Sequence, residues 1–208
     1  MIERINRESL STMLEGPLPG VSAQDKMAPE GRGRSGDGEN TSDECKSAAV
    51  VIVLFPEGNL IHTVFMKRNE YDGPHSGQIS FPGGMYEETD HDLMRTALRE
   101  TEEETGIIAN KLELLGKLTP LYIPVSNFCV APFVAWLTER PIFHPDSSEV
   151  QYLLTPTLEE LMDPANYYKE NIHRHGYDMI TPFIRIDKDI IWGASAMILS
   201  EFMELIGQ

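Results

Sequence analysis

The most constraining stretch of this 208-residue chain is a glycine turn followed closely by an acidic helical pattern. The turn is SFPGG (residues 80–84), and the helical pattern runs through residues 89–107. At about 100° per residue, one stripe suited to packing on a sheet contains Met94, Ala97, Leu98, Thr101 and Thr105. Thr89 is expected to be the N-cap of this helix, and Gly106 its left-handed C-cap.

The same helix carries a concentrated group of carboxylates on a neighbouring face. Glu100, Glu103 and Glu104 are spaced at i, i+3 and i+4, where like charges repel each other and weaken a helix. A cation bound against them would remove the repulsion, and hard divalent ions prefer carboxylate and carbonyl oxygens. An acidic helix face can also simply be solvated, so the charges alone leave both interpretations open.

A longer pattern places this helix in a known context. Gly84 followed by RETEEETGI (residues 99–107) resembles the Nudix box, the signature of hydrolases that split X-linked nucleoside diphosphates. Residues 85–98 separate Gly84 from Arg99, which is one residue more than in the common form of the box. The acidic position that the box has upstream of its arginine therefore falls on Asp90 or on no residue. Thr101 also stands where an aliphatic residue is usual. The resemblance implies an α/β fold, a Nudix-type α/β/α sandwich with a mixed sheet.

The resemblance also implies the metal-binding residues. Mg²⁺ or Mn²⁺ would be held by the carbonyl of Gly84 and by the carboxylates of Glu100, Glu103 and Glu104. Arg99 is expected to orient these glutamates through ion pairs, a task that suits the planar guanidinium group.

The general base is less sharply defined, because Nudix enzymes use either a glutamate of the box or one from a later loop. Within the box the candidates are Glu103 and Glu100. Downstream, Glu149 follows a short polar loop and is the main candidate, although a solvated loop acid would have the same appearance. Glu159 and Glu170 are weaker alternatives.

A second signature lies upstream of the box. The run HSGQISFPGG (residues 75–84) looks like the extra signature of the coenzyme A pyrophosphatase branch of the Nudix family. Substrate contacts are expected from His75, Gly83 and Gly84, although His75 could instead only tie down its own turn, and from Arg68 or Lys67 as the replacement for an arginine that is missing here. Relatives often have arginine where Gly73 stands. The alternatives are another nucleoside diphosphate derivative, such as ADP-ribose or a dinucleotide, and a non-catalytic nucleotide sensor.

The charge balance and the cysteines limit the partners and the compartment. Acidic residues outnumber basic ones 33 to 17, for a net charge of −16. Such a field repels nucleic acid and anionic lipid, so neither is an expected partner. Cys45 and Cys129 share no metal-ligand spacing, and two free thiols in a reducing compartment are expected. With no membrane-length apolar run, the protein is expected to be soluble and cytoplasmic.

Hydrophobic periodicity supplies the rest of the fold. We expect strands at residues 48–55, 60–67, 78–81, 111–118, 129–137, 149–154, 167–173 and 177–186. Residues 1–22 are expected to form a helical segment, residues 23–46 a flexible linker, and residues 47–208 the Nudix domain. Residues 119–127 contain two prolines and are expected at the rim of the site rather than in a strand. The last helix, at residues 192–206, is apolar nearly all round, which fits either a buried helix or the contact of a homodimer.

Overall fold

The structure is a computed structural model that describes residues 5–32, 45–73, 75–174 and 177–207. Its helices are α1 (Arg7–Glu15), α2 (Val21–Gln24), α3 (Leu93–Thr105), α4 (Leu158–Met162) and α5 (Gly193–Ile206). Its strands are β1 (Lys46–Glu57), β2 (Leu60–Thr63), β3 (Phe65–Arg68), β4 (Ile79–Ser80), β5 (Gly83–Met85), β6 (Glu113–Lys117), β7 (Leu121–Ile123), β8 (Phe128–Trp136), β9 (Val150–Leu154), β10 (Tyr167–Arg174), β11 (Tyr177–Ile186) and β12 (Asp189–Trp192).

The strand β1 is the centre of the main sheet. It pairs in parallel with β8, and antiparallel with β2 and β5, while β6 and β7 pair with β8. Successive side chains of a strand point to opposite faces, and those of β1 enter two separate cores. Ile52 and Leu54 face the core that contains α5, whereas Val51 and Val53 face the core beneath α3. The apolar run of β1 is thus explained by burial on both faces.

Helices cover both faces of this sheet. Ala97 and Leu98 of α3 pack on one face, and Leu10 of α1 and Phe202 of α5 pack on the other. Two three-stranded sheets, β10-β11-β12 and β4-β3-β9, flank these layers. The predicted α/β fold with a mixed sheet between helices is confirmed.

Two regions differ from the sequence prediction. Residues 60–67 do not form one returning strand, because β2 pairs with β1 whereas β3 pairs with β4 and β9 in another sheet. Periodicity cannot reveal such a change of partner within a continuous apolar segment. Residues 119–127, expected to lack a strand, contain β7, which pairs with β8 despite the two flanking prolines.

The predicted linker is also shorter at its start. Ala23 and Gln24 are fully buried, and a 3₁₀ turn follows at Asp25–Met27. Glu201 of α5, itself fully buried, accepts hydrogen bonds from the Gln24 side chain at 2.8 Å and from the Thr119 hydroxyl at 2.6 Å. These bonds hold the segment against the body, so a mobile linker is wrong for this part. Residues 33–44 of the predicted linker lie outside the described residues.

The prediction of two free thiols is wrong. Cys45 and Cys129 form a disulfide across 84 residues of sequence. The register of the parallel pair explains the contact, since Lys46 lies beside Phe128 and Ser47 beside Cys129 where the strands begin. No spacing of the two cysteines indicates this bond, because only the pairing of β1 with β8 brings them together. Disulfides persist in oxidising surroundings, so the cysteines no longer support a reducing compartment.

Candidate active site

The glycine turn is fixed by its close contact with β1. Gly83 has a φ of 145°, and a β-carbon there would lie 2.6 Å from the Cα of Val50. Only glycine permits this approach without a shift of the backbone. Gly84 pairs with Ala49 in the β1–β5 ladder. The turn therefore enters the site as a rigid edge of the main sheet.

The acidic helix begins later than its sequence suggested. Asp92 is the N-cap of α3, and its side chain accepts a hydrogen bond from the Arg95 N–H at 2.8 Å. The prediction that Thr89 is the N-cap is wrong, because the chain forms turns and bends up to Asp92 before the helix starts. The prediction of Gly106 is confirmed, since it has a φ of 75° and donates its N–H to the carbonyl of Glu102.

Arg99 organises one side of the acidic face. Its Nε and Nη2 donate to the two carboxylate oxygens of Asp90 at 2.7 and 2.9 Å. Its Nη1 lies 3.0 Å from a carboxylate oxygen of Glu100 and of Glu103. Asp90 is buried, and the Arg99 guanidinium keeps the pKa of that carboxyl well below its usual range. Asp90 thus takes the acidic position upstream of the box that the sequence left open.

Glu104 points inward, towards the glycine turn. It is only 2% exposed, its Oε2 accepts a hydrogen bond from the Gly83 N–H at 2.7 Å, and Arg68 Nη2 lies 3.5 Å from its Oε1. Arg68 also donates to the Gly83 carbonyl at 3.0 Å. Burial raises the pKa of Glu104 to about 8 against the opposing effect of Arg68, and the charges of Glu100 and Glu149 add to the rise.

Glu100 lies between the turn and the remaining acids. A β-carbon on Gly84 would lie 2.5 Å from its carboxylate oxygens, so glycine leaves the room that this carboxylate occupies. Burial raises the pKa of Glu100, Arg99 opposes the rise, and the charges of Glu103 and Glu149 add to it. The loop residue Glu149 is therefore near the helix carboxylates.

The other two base candidates lie elsewhere in the fold. Glu159 is on α4 and Glu170 is on β10. The structure thus brings together Arg68, Gly83, Gly84, Arg99, Glu100, Glu103, Glu104 and Glu149.

The carboxylates match a divalent cation in chemical type but are engaged with protein groups. Within the described part of the chain, no three acidic, histidine or cysteine side chains stand ready as a ligand set. Arg99 engages Glu100 and Glu103, and the Gly83 N–H engages Glu104. Clustered oxygen donors, raised pKa values and the space beside Gly84 are the features that suit a hard cation. The residues fit a hard divalent cation such as Mg²⁺ or Mn²⁺ if the cation replaces Arg99 and the Gly83 N–H as the partner of these carboxylates.

A cavity of about 330 Å³ opens beside the glycine turn. Its apolar walls come from the main sheet, β7 and α5, and include Ala48, Val50, Phe81, Ile123, Phe128, Val130, Ala194 and Ile198. Arg68, His75 and Gln78 contribute polar groups. The sequence did not single out Ile198, because a helix that is apolar nearly all round does not show which side faces a cavity.

His75 lies at the wall of the cavity and is bonded to neighbouring loop residues, while its contact with substrate stays a prediction. It lines the cavity, and its ring nitrogens lie 3.0 Å from Ser126 Oγ and 3.3 Å from Gln78 Oε1. Its φ of 66° is uncommon for a residue other than glycine. The histidine thus ties its own loop to the loop of Ser126 at the wall of the cavity.

Sequence comparisons agree with this geometry. Residues 46–175 match the NUDIX domain. The chain is 34% identical over 157 residues to "Uncharacterized Nudix hydrolase NudL" of Yersinia enterocolitica, covering 76% of this chain and 78% of that protein. It is 33% identical over 163 residues to the protein of the same name from Yersinia pestis, covering 77% and 80%.

Solved structures show the same fold. A Nudix hydrolase from M. smegmatis, RenU, superposes with a TM-score of 0.55 at 14% identity, covering 78% of this chain and 86% of that chain. A MutT/nudix family protein from Enterococcus faecalis superposes with a TM-score of 0.53 at 16% identity, covering 80% and 64%. Among the described helices, none combines the length and the apolar character needed to cross a bilayer. From its domain match, its relatives and its fold, the chain belongs to the Nudix hydrolase family.

Proposed function

We propose that this Nudix hydrolase cleaves the diphosphate bond of coenzyme A or its derivatives, giving 3′,5′-ADP and 4′-phosphopantetheine products. The observation that carries the proposal is the largely apolar cavity beside Arg68 and the glycine turn. A substrate whose diphosphate lies near Glu100 and Glu104 could extend a partly apolar arm such as pantetheine into this space, whereas a second sugar buried there would lose more hydrogen bonds to water. The run at residues 75–84, which resembles the coenzyme A branch, lines part of the same cavity.

Glu100, Glu103, Glu104 and the carbonyl of Gly84 would hold Mg²⁺ or Mn²⁺. When bound, the cation would supply positive charge against the diphosphate oxygens, which this strongly acidic protein otherwise repels. Arg99 fixes Glu100 and Glu103 from one side, and the Gly83 N–H fixes Glu104 from the other. The protein's part is then chiefly positioning and electrostatic stabilisation, as in other phosphoryl transfers.

Glu149 is the proposed general base. It is exposed at the end of a loop, and its charge acts on both Glu100 and Glu104. A carboxylate in this position can accept a proton from a water that attacks phosphorus. Glu103, which is also exposed and is held by Arg99, is the alternative within the box.

The second candidate function is hydrolysis of another nucleoside diphosphate derivative, such as ADP-ribose or a dinucleotide. The observation that favours it is Gly73, which offers no cation where coenzyme A-cleaving relatives often have arginine. Arg68 does not replace that arginine freely, because it is engaged with Glu104 and the Gly83 carbonyl. Lys67 and Arg32 are the other described candidates. Lys67 Nζ lies 3.7 Å from Asp189 Oδ1, and Arg32 Nη2 donates to the carbonyl of Tyr122, next to Ile123 in the cavity wall.

A substrate panel with each metal tests the proposal. Coenzyme A should exceed its 3′-dephospho form and ADP-ribose in kcat/KM by about tenfold or more, or about 1.4 kcal/mol in the transition state. Arg32→Ala should remove most of the preference for the 3′-phosphate, and Arg140→Ala, which alters an exposed pair with Glu57, should not. Equal efficiency on all three substrates would exclude coenzyme A specificity and retain only the general diphosphohydrolase.

Two further parts of the proposal concern assembly and location, and the family resemblance supports only the first. We propose a homodimer, although α5 no longer argues for one, because residues such as Met197, Leu199 and Phe202 are buried within the chain itself. Sedimentation at micromolar concentration tests it, and a monomer would contradict it. We also propose a cytoplasmic location, which the state of Cys45 and Cys129 in rapidly alkylated cells would test.

A further inference from the structure

Asn69 makes hydrogen bonds to three successive residues of the loop that ends in Glu149. Its side-chain Nδ2 donates to the carbonyl of Ser147 at 3.0 Å and to the carbonyl of Ser148 at 2.8 Å. Its backbone N–H donates to the carbonyl of Glu149 at 2.9 Å. The half-buried side chain of Asn69 thus fixes the backbone just before Glu149, and the backbone N–H of Asn69 fixes Glu149 itself.

The position of Asn69 connects this loop to the rest of the site. It directly follows Arg68, whose guanidinium contacts Glu104 and the Gly83 carbonyl. The ladder of β3 with β9 is irregular between Lys67 and Arg68, and such bulges redirect the chain that follows. The carbonyl of Asn69 also accepts the N–H of Gly77 at 3.1 Å. Asn69 is therefore held in place by Arg68 before it and by the bond from Gly77, so its own hydrogen bonds can hold the loop.

Apart from Asn69, the loop is held by hydrogen bonds within itself, such as those of the Glu149 and Val150 N–H groups to the Asp146 carbonyl, and by β9, which begins at the buried Val150. Asp146 accepts hydrogen bonds from the N–H and the hydroxyl of Ser148 at 2.8 and 2.7 Å, which shapes the turn but does not attach it to the body. The Glu149 side chain is exposed, so burial does not restrict it. Arg68, Asn69 and Glu149 together line an open cavity of about 500 Å³, and the charge of Glu149 acts on Glu100 and Glu104.

We propose that Asn69 is a positioning residue, which holds the backbone of the 146–149 loop so that Glu149 faces the carboxylates of α3. The proposal rests on the proposed function, because it assumes that Glu149 takes part in hydrolysis. Asn69 itself acts only through the loop, and an asparagine suits the task because its amide nitrogen offers two donors for two carbonyls.

The first test compares two asparagines that make similar bonds. Asn69→Ala should lower kcat by about tenfold or more with KM changed less than about threefold, since ground-state contacts with the substrate stay intact. Asn69→Asp, which keeps the shape and removes both donors, should do the same. The matched control is Asn166→Ala, because Asn166 Nδ2 also donates to a backbone carbonyl, that of Glu160, at 2.8 Å. A rise in KM with unchanged kcat for Asn69→Ala would overturn the proposal.

A double-mutant cycle tests whether Asn69 acts through Glu149. In a Glu149→Gln background, Asn69→Ala should cause less than about a twofold further loss, because the carboxylate that it positions is gone. If the fold-losses of activity in the two single variants multiply in the double variant, the proposal is overturned. Full activity of Glu149→Gln alone would overturn it as well.

Amide hydrogen exchange gives a readout that does not depend on activity. Asn69→Ala should increase exchange at least about tenfold at residues 148–150, and Asn166→Ala should leave those amides unchanged. Unchanged exchange in Asn69→Ala would show that the loop is held by other contacts and would overturn the proposal. A wild-type protein that hydrolyses no diphosphate would instead overturn the proposed function and leave only the anchoring of the loop, so the two failures are distinguishable.

Discussion

Gly84 and Glu100 share one small volume: a β-carbon on residue 84 would lie 2.5 Å from the carboxylate oxygens of Glu100. That separation is well inside van der Waals contact, so either the turn or the glutamate would have to move. The glycine turn and the acidic helix are therefore matched to each other at the atomic level, although Gly84 and Glu100 are sixteen positions apart in the sequence.

Gly84→Ala is expected to lower kcat/KM by about a hundredfold, because the added methyl group displaces the Glu100 carboxylate from its place beside the turn. Gly16→Ala is the matched control, since its β-carbon would come no closer to another group than 3.3 Å, the distance to the Met13 carbonyl oxygen. Steady-state rates with Mg²⁺ and Mn²⁺, together with thermal unfolding, measure the effect. Wild-type rates for Gly84→Ala would show that the position of Glu100 does not matter.

Glu103→Gln is expected to reduce turnover by about a hundredfold or more while the protein stays folded. Glu103 is exposed, so loss of its charge relieves repulsion on α3 rather than breaking a buried contact. The adjacent Glu102→Gln is the matched control, because Glu102 is equally exposed and only accepts a hydrogen bond from the Ala109 N–H. If the two variants lose activity equally, the assignment of Glu103 to the cation is wrong.

The buried Glu104 predicts a pH-dependent stability in the absence of divalent metal. Its pKa is raised from 4.5 to about 8, so the folded state keeps a proton that the unfolded chain loses between these values. The free energy of unfolding should therefore fall as pH rises through this window, by up to about 5 kcal/mol. Urea unfolding in a chelator at several pH values measures the slope.

The slope assigned to Glu104 has a direct control. Glu104→Gln should flatten it, because glutamine does not titrate, and Glu102→Gln should keep it. A slope that persists in Glu104→Gln would place the responsible group elsewhere.

The Cys45–Cys129 disulfide is expected to stabilise the fold measurably. Closing a loop of 84 residues contributes about 4 kcal/mol in the chain-entropy description. Reduction, or the double substitution Cys45→Ser with Cys129→Ser, should lower the Tm, and a reductant should have no further effect on the double variant. A wild-type Tm that is insensitive to reductant, with both thiols open to alkylation, would contradict the bond.

Much of the fold could be predicted because local patterns agree with the global arrangement. The apolar run of β1, the hairpin of β10 and β11, and the helix α5 all carry periodicities that need no tertiary information. The change of partner between β2 and β3 carries none, since both belong to one apolar segment. The pairing of Cys45 with Cys129 depends on the parallel register of β1 and β8, which lie 82 residues apart from start to start (128 − 46).

The same limit applies to the site. The spacing of Arg99, Glu100 and Glu103 on one helix could be predicted from sequence, and the ion pairs of Arg99 agree with it. The contact of Arg68 with Glu104 and the bonds of Asn69 to the loop before Glu149 join separate elements. No local pattern encodes these contacts, because they arise only when the sheets assemble.

The hydrogen bonds of the Glu201 carboxylate determine which fragments of the chain keep the core intact. This carboxylate receives hydrogen bonds from Gly20, Gln24 and Thr119, and two of these donors and Glu201 itself lie outside the region that matches the family, residues 46–175. A fragment limited to that region would lack α5 and α1, and would lose the residues that these helices add to the core on one face of the central sheet, such as Leu10 and Phe202. The region that matches the family is therefore smaller than the unit whose residues pack into one core.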